Sequence, residues 1–268
     1  MTLPHGKTYF HRPSGHTSNG RLVIDFIGLT LISLPQELGL PLVPPYLPSY
    51  SNNNSKGFEH DVNFAVIGAT ALNDELFRGL GYKAGGVEPL SWQLDLFHEW
   101  LSNNTSSVQQ DNILSNKSLF LIGEIGVNDY NIMLSELQES NINRLRTYVT
   151  SVVGTIGSAV NDLIQTGAKN IMVAGLFPMG CMPFYNTIFN GAIDVQNGCN
   201  IDLNEFAKYH NLLLQQKLRQ LFELHPQVKI FYADYYEPLM QIYNFPRRRV
   251  QSPKEVIVKC FSTLKMGE

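Results

Sequence analysis

Two short stretches combine glycine with groups able to donate hydrogen bonds to a developing negative charge. Gly68-Ala69-Thr70 follows the apolar run Asn63-Phe64-Ala65-Val66-Ile67. Gly123-Glu124-Ile125-Gly126-Val127-Asn128-Asp129-Tyr130 follows Ser118-Leu119-Phe120-Leu121-Ile122. A glycine at a strand end lets a backbone N–H face a ligand with no side chain in the way, and Asn128 carries an amide NH2 donor. A backbone N–H beside an Asn amide is one way to build an oxyanion hole for acyl transfer. The same residues also have purely structural uses, since strand-end glycines make turns and an Asn there caps a helix.

Other spellings suggest chemistry less well. Asp95-Leu96-Phe97-His98 has an Asp-x-x-His form, but it falls inside an amphipathic helical stretch with Leu94 and Leu101, where Asp and His are ordinary surface neighbours. Ser262-Thr263-Leu264-Lys265 spells Ser-x-x-Lys without the helix or Ser-Asp-Asn that such a nucleophile needs. The three cysteines, Cys181, Cys199 and Cys260, fit no metal pattern, lacking a C-x-x-C or a His pair. A Cys181–Cys199 disulfide across a Gly/Asn-rich loop and two free buried thiols are both open readings. Met179, Met182, Phe184 and Tyr185 are candidates for an acyl pocket, though residues of these types after a strand more often pack a core.

The elements that must position these groups are legible as alternating patterns. Apolar runs at 63–67, 118–122, 170–174 and 228–233 suit parallel strands covered on both faces. Between the second and third, Leu145, Tyr148, Val149, Val152, Val153, Ile156, Ala159, Val160, Leu163 and Ile164 keep one helical stripe that Gly167 ends. Between the third and fourth, Leu203, Phe206, Ala207, His210, Leu214, Leu218, Leu221 and Phe222 make a second stripe, stopped by His225-Pro226. Strand–helix–strand repetition predicts a doubly wound α/β sheet in one domain, with the site beyond the carboxyl ends of the strands.

Composition excludes several classes. The 268 residues are 44% hydrophobic and 16% charged with a net charge of −3, and a pI near 6.2 leaves no basic footprint for nucleic acid. Arg247-Arg248-Arg249 reads as a solvated loop. No apolar run is long enough for a transmembrane segment. No G-x-G-x-x-G or P-loop follows a strand, which disfavours a nucleotide binder. Thr2-Leu3-Pro4-His5-Gly6 has neither the charged nor the apolar region of a signal peptide. N-x-S/T sequons nevertheless begin at Asn53, Asn103, Asn104 and Asn116, and favour a secretory history. A lost N-terminus would reconcile the two.

Several blocks in order resemble the plant GDSL esterase/lipase family of the SGNH hydrolase superfamily. They are TYFHRPSGHTSNGRLVIDFI, LGLPLVPPYL, VNFAVIGATAL, GEIGVNDY, NIMVAGLFPMGCMP, NGCNIDLNEFAKYHNLLL and VKIFYADYYEPL, spanning about 9–245, with a divergent tail at 246–268. The resemblance implies a flavodoxin-like three-layer α/β/α sandwich with a mainly parallel sheet. It implies one partial hydrolase domain over 1–268, without the first, nucleophile-bearing strand and the last helix. It implies a secreted enzyme that hydrolyses small-molecule or lipid esters by a Ser-His-Asp mechanism, without cofactor or metal. Gly68 and Asn128 fall on the family's oxyanion-hole positions. The Gly-Asp-Ser nucleophile motif occurs nowhere in the chain, and neither does a late Asp-x-x-His, so the resemblance implies an inactive polypeptide. A non-catalytic ester-, lipid- or glycan-binding relative, or a pseudogene product, is the alternative.

Two departures from the family pattern stand out: Gly28-Leu29-Thr30-Leu31-Ile32-Ser33-Leu34-Pro35 interrupts a block, and the resemblance dissolves after Phe245. Hypothesis: residues near 28–35 are intron-derived and the chain ends early. Sequencing a full-length transcript is expected to remove those codons; an intact message from Met1 to a stop after Glu268 would defeat the idea.

Overall fold

The computed structural model describes residues 8–9, 11, 18–20, 22, 43, 45–46, 62–83, 86, 88–104, 110, 113–114, 118–136 and 142–245. The chain divides into two compact units, 1–67 and 68–268. In the first, Asn63 makes a parallel bridge with Pro45, Tyr46 N–H donates to the Asn63 carbonyl at 2.8 Å, and the rings of Tyr46 and Phe64 lie 4.9 Å apart. The expected strand at 63–67 does not form. Pro45 has no N–H to extend a ladder. Asn63 also turns its side chain onto its own backbone, Oδ1 accepting from Ala65 N–H at 2.9 Å, a local bond that competes with strand pairing. Ile67, expected inside, is 69% exposed.

The second unit carries a parallel sheet, β1 (Phe120–Ile122), β2 (Asn170–Ala174) and β3 (Lys229–Ala233), in the order β1-β2-β3. Phe120 stands opposite Ile171 and Ile122 opposite Val173, and Ile171 faces Ile230 as Ala174 faces Ala233. Seven described helices accompany it: α1 (Asp74–Gly79), α2 (Leu90–Asn104), α3 (Val127–Glu136), α4 (Ile142–Thr166), α5 (Pro183–Ile188), α6 (Ile201–Leu224) and α7 (Tyr236–Asn244). Helices α4 and α6 cross over from β1 to β2 and from β2 to β3. Because both steps run in the same direction, the right-handed crossover rule lays them on one face, where they pack on each other. A parallel sheet with helical crossovers is the arrangement of the expected three-layer α/β/α fold.

The helix stripes set the core. On α4 the buried residues are those of the expected stripe with Gly157 in place of Tyr148. The helix stops at Gly167, whose φ of 114° no L side chain adopts easily. Its N–H and that of Ala168 both reach back to the Leu163 carbonyl, at 3.2 and 3.0 Å, closing the last turn. Helix α6 starts at Asn200, whose side chain accepts from Leu203 N–H at 3.0 Å, and ends at His225.

Two asparagines join the apolar residues on the buried face of α6. Asn204 accepts from Gly180 N–H at 2.9 Å. Asn211 both accepts from Leu176 N–H at 2.7 Å and donates to the Leu176 carbonyl at 2.9 Å. The chain leaving β2 has no ladder partner for these groups, and the two amides take that place. Asn211→Leu removes the donor and the acceptor together, orphaning two buried backbone groups. It is expected to lower stability by about 2 to 4 kcal/mol, read from the midpoint of urea unfolding.

Candidate active site

Beyond the carboxyl end of β1 the chain runs through Gly123–Gly126 and enters α3 at Val127. Asn128 is therefore in the first turn of α3, half-buried, at the strand-end position where open α/β sheets hold their ligands. Its Nδ2 donates to the Ala69 carbonyl at 3.0 Å. Gly68, the residue before Ala69, is exposed with φ of 79°, a left-handed turn open to glycine, and its N–H has no partner among the described residues. The two residues singled out in the sequence thus lie on adjoining pieces of backbone, although 60 positions apart by their numbers.

The next residue was not foreseen. Asp129 is fully buried, and its carboxylate accepts from Ala71 N–H and Leu72 N–H, both at 2.8 Å. Thr70 ties the same loop from within, its hydroxyl donating to the Leu72 carbonyl at 2.7 Å. The Thr70 carbonyl accepts from Leu90 N–H at 2.8 Å, at the start of α2. Burial pushes the Asp129 carboxyl up to about 7, against the pull of the two N–H donors.

Glu124 closes the other side of the α3 N-terminus, its Oε1 accepting from Val127 N–H at 3.4 Å. Desolvation first, and the neighbouring Asp129 charge last, raise it to about 7. One turn beyond Asn128, Asn131 Oδ1 accepts from the Tyr185 hydroxyl at 2.6 Å, which fastens α5 to α3. Burial, then the Glu124 charge, raises the Tyr185 phenol well above its ordinary value. Of the acyl-pocket candidates, Met179 and Tyr185 are buried, Met182 is half-buried, and Phe184 is 58% exposed. Cys181 and Cys199 are joined by a disulfide, closing the segment that carries α5. Cys260, Ser262–Lys265, Arg247–Arg249, residues 28–35 and the sequons at Asn53 and Asn116 lie outside the described residues.

Two of the described histidines have other occupations. His98 Nε2 pairs with Asp162 of α4 at 2.7 Å, so the Asp95-x-x-His98 spelling makes no pair of its own. His210, on α6, is fully buried with Nδ1 against the Tyr130 hydroxyl at 2.7 Å, and burial lowers it to about 3. It is a neutral core histidine beneath α3, where its ring also limits what fits at Gly126.

Comparison with known proteins decides the family. The model described as GDSL-like Lipase/Acylhydrolase matches residues 6–253. The chain belongs to the GDSL lipase/acylhydrolase family. One GDSL esterase/lipase of Arabidopsis thaliana is 42% identical over 250 residues, covering 91% of this chain and 61% of that protein. A second from the same plant is 41% identical over 252 residues, covering 92% and 62%. Sinapine esterase of Brassica napus is 39% identical over 252 residues, covering 92% and 61%. The chain spans about three fifths of the length of these relatives. No described helix is long and apolar enough to cross a membrane.

The GDSL chain carries a pH dependence in its carboxylates. A carboxyl raised in the folded state binds its proton more tightly folded than unfolded, so its contribution is full below the unfolded value and is lost as pH rises through the folded one. For Glu124 that window runs from the model-peptide 4.5 to about 7. The urea midpoint is expected to fall between pH 5 and pH 8, and to fall less in Glu124→Gln; equal declines in the two proteins would rule out Glu124 as the source.

Proposed function

We propose that this chain is one partial hydrolase domain, over residues 1–268, of a secreted carboxylic ester hydrolase that acts by acyl transfer, with Gly68 and Asn128 as oxyanion donors. The observation that carries the reading is the bond from Asn128 Nδ2 to the carbonyl adjoining Gly68, at 3.0 Å. An Asn NH2 has two hydrogens; Ala69 takes one, which orients the group and leaves the second for a substrate oxygen. When a hydroxyl nucleophile attacks an ester carbonyl, the oxygen gains negative charge, and fixed N–H donors stabilise it more than the neutral carbonyl. Expulsion of the alcohol leaves an acyl intermediate that water hydrolyses. The disulfide Cys181–Cys199 and the exposed sequon residue Asn103 support a secretory route. The substrate class is a small-molecule or lipid ester, and the sinapine esterase among the relatives makes sinapine a first compound to assay.

Residues 1–268 hold no Gly-Asp-Ser, and in their single described Asp-x-x-His the histidine is bonded to Asp162. This polypeptide alone has donors without a nucleophile or base. Its hydrolysis of an aryl acetate is expected near background, with no serine labelled by a phosphonate probe.

The decisive experiment reads the gene upstream of codon 1 and downstream of codon 268 for in-frame Gly-Asp-Ser and Asp-x-x-His codons, and expresses the whole frame. Asn128→Ala in that enzyme is expected to lower kcat roughly 100- to 1,000-fold with KM within about twofold. An unchanged kcat would remove Asn128 from the mechanism. A frame without either motif would favour the non-catalytic ester-, lipid- or glycan-binding alternative.

A further inference from the structure

Three side-chain bonds join the loop 68–72 to the first turn of α3. Asn128 Nδ2 holds the Ala69 carbonyl at 3.0 Å, and the two oxygens of Asp129 hold the successive N–H groups of Ala71 and Leu72 at 2.8 Å each. The partners come from segments 57 to 59 residues apart in sequence, so nothing local keeps them in register. Asn128 can orient its own amide through one bond, and Leu90 N–H ties the Thr70 carbonyl to α2, but neither holds the far side of Thr70 to α3. Two more bonds from the neighbouring residue do that, at the amides of Ala71 and Leu72. Helix α3 is anchored in turn from below, where Tyr130 meets His210 at 2.7 Å, and from the side, where Asn131 meets Tyr185 at 2.6 Å. The carboxylate therefore projects from a helix fixed on two other faces.

We infer that Asp129 is a positioning residue whose buried carboxylate fixes the 68–72 loop, so that the Gly68 N–H and the Asn128 amide point to one focus. The inference rests on the reading of Gly68 and Asn128 as oxyanion donors, but its own claim is geometric and is tested without turnover. Asp129 touches no substrate atom; it acts through the Ala71 and Leu72 amides and through the loop they belong to. A carboxylate suits this task better than an amide, because both of its oxygens accept, and two parallel N–H groups need two acceptors. An Asn in its place has one acceptor and turns an NH2 toward the remaining N–H.

The test is amide hydrogen exchange by nuclear magnetic resonance on the 268-residue chain, with Asp129→Asn and Asp129→Leu beside it. In the wild type, Ala71 and Leu72 amides and the Asn128 side-chain NH2 are expected to exchange slowly. Loss of a hydrogen bond to a charged group predicts exchange roughly 10- to 100-fold faster. Asp129→Leu should show that at Ala71, Leu72 and Asn128, with Asp129→Asn intermediate and the Ile156, Val160 and Val173 amides unchanged. The Asn128 NH2 signal should shift in the same order, which a residue serving only the core would not cause. Should Asp129→Leu lose protection everywhere, the graded effect in Asp129→Asn carries the test. An Asn128 NH2 that exchanges and resonates as in wild type in the variants, or wild-type Ala71 and Leu72 amides without protection, would overturn the inference. Failure of the oxyanion reading has a different signature: Asn128→Ala with unchanged kcat in the whole reading frame, and these exchange rates intact.

Discussion

A carboxylate with no access to water is the constraint on which this end of the molecule turns. Asp129 has lost its hydration and has in exchange two backbone N–H groups from a distant loop. Burying an unpaired carboxylate costs several kcal/mol, so the loop is held to the helix because neither can leave without exposing an unsatisfied group. The Ala69 carbonyl and the Asn128 amide come together as a by-product of the same closure. Donor and backbone are adjacent because the residue after Asn128 requires it.

Support for that closure is layered outward. Tyr130, Met133 and Val127 bury the underside of α3, and Tyr185 holds its next turn through Asn131. The disulfide anchors the two ends of the segment carrying Tyr185. Buried asparagines do comparable work at the end of β2, where Asn204 and Asn211 receive the backbone as it leaves the sheet. Each is a polar group in the core with its partners supplied.

What could be read from the sequence follows the physics of each element. The strand at 170–174 was legible to the residue, and the α4 stripe in all but Tyr148 and Gly157, because a continuous apolar run and a helical period are local properties. The strand expected at 63–67 failed, since pairing depends on a partner, and the partner found is a proline. The amide face of α6 was invisible to a hydrophobic pattern, which cannot see that Asn204 and Asn211 point inward. Asn128 and Gly68 were found by residue type at strand ends. Asp129 stood beside them in plain view, but the amides that give it meaning lie 57 and 58 positions away. The histidine at 98 shows the reverse error, a spelling whose real partner sits on another helix.

The floor beneath α3 has a latent charge. His210 is held neutral at about 3 by its surroundings, whereas the unfolded chain would take up a proton nearer to 6.5. Acid therefore favours the open chain across that interval, the opposite sense to Glu124, whose proton is kept better in the folded state. Glu124 meets α3 at Val127 and His210 meets it at Tyr130. Protonating the imidazole weakens the folded state from the acid side and ionising the glutamate weakens it from the alkaline side, so their joint contribution to the fold around Asn128 is greatest in between.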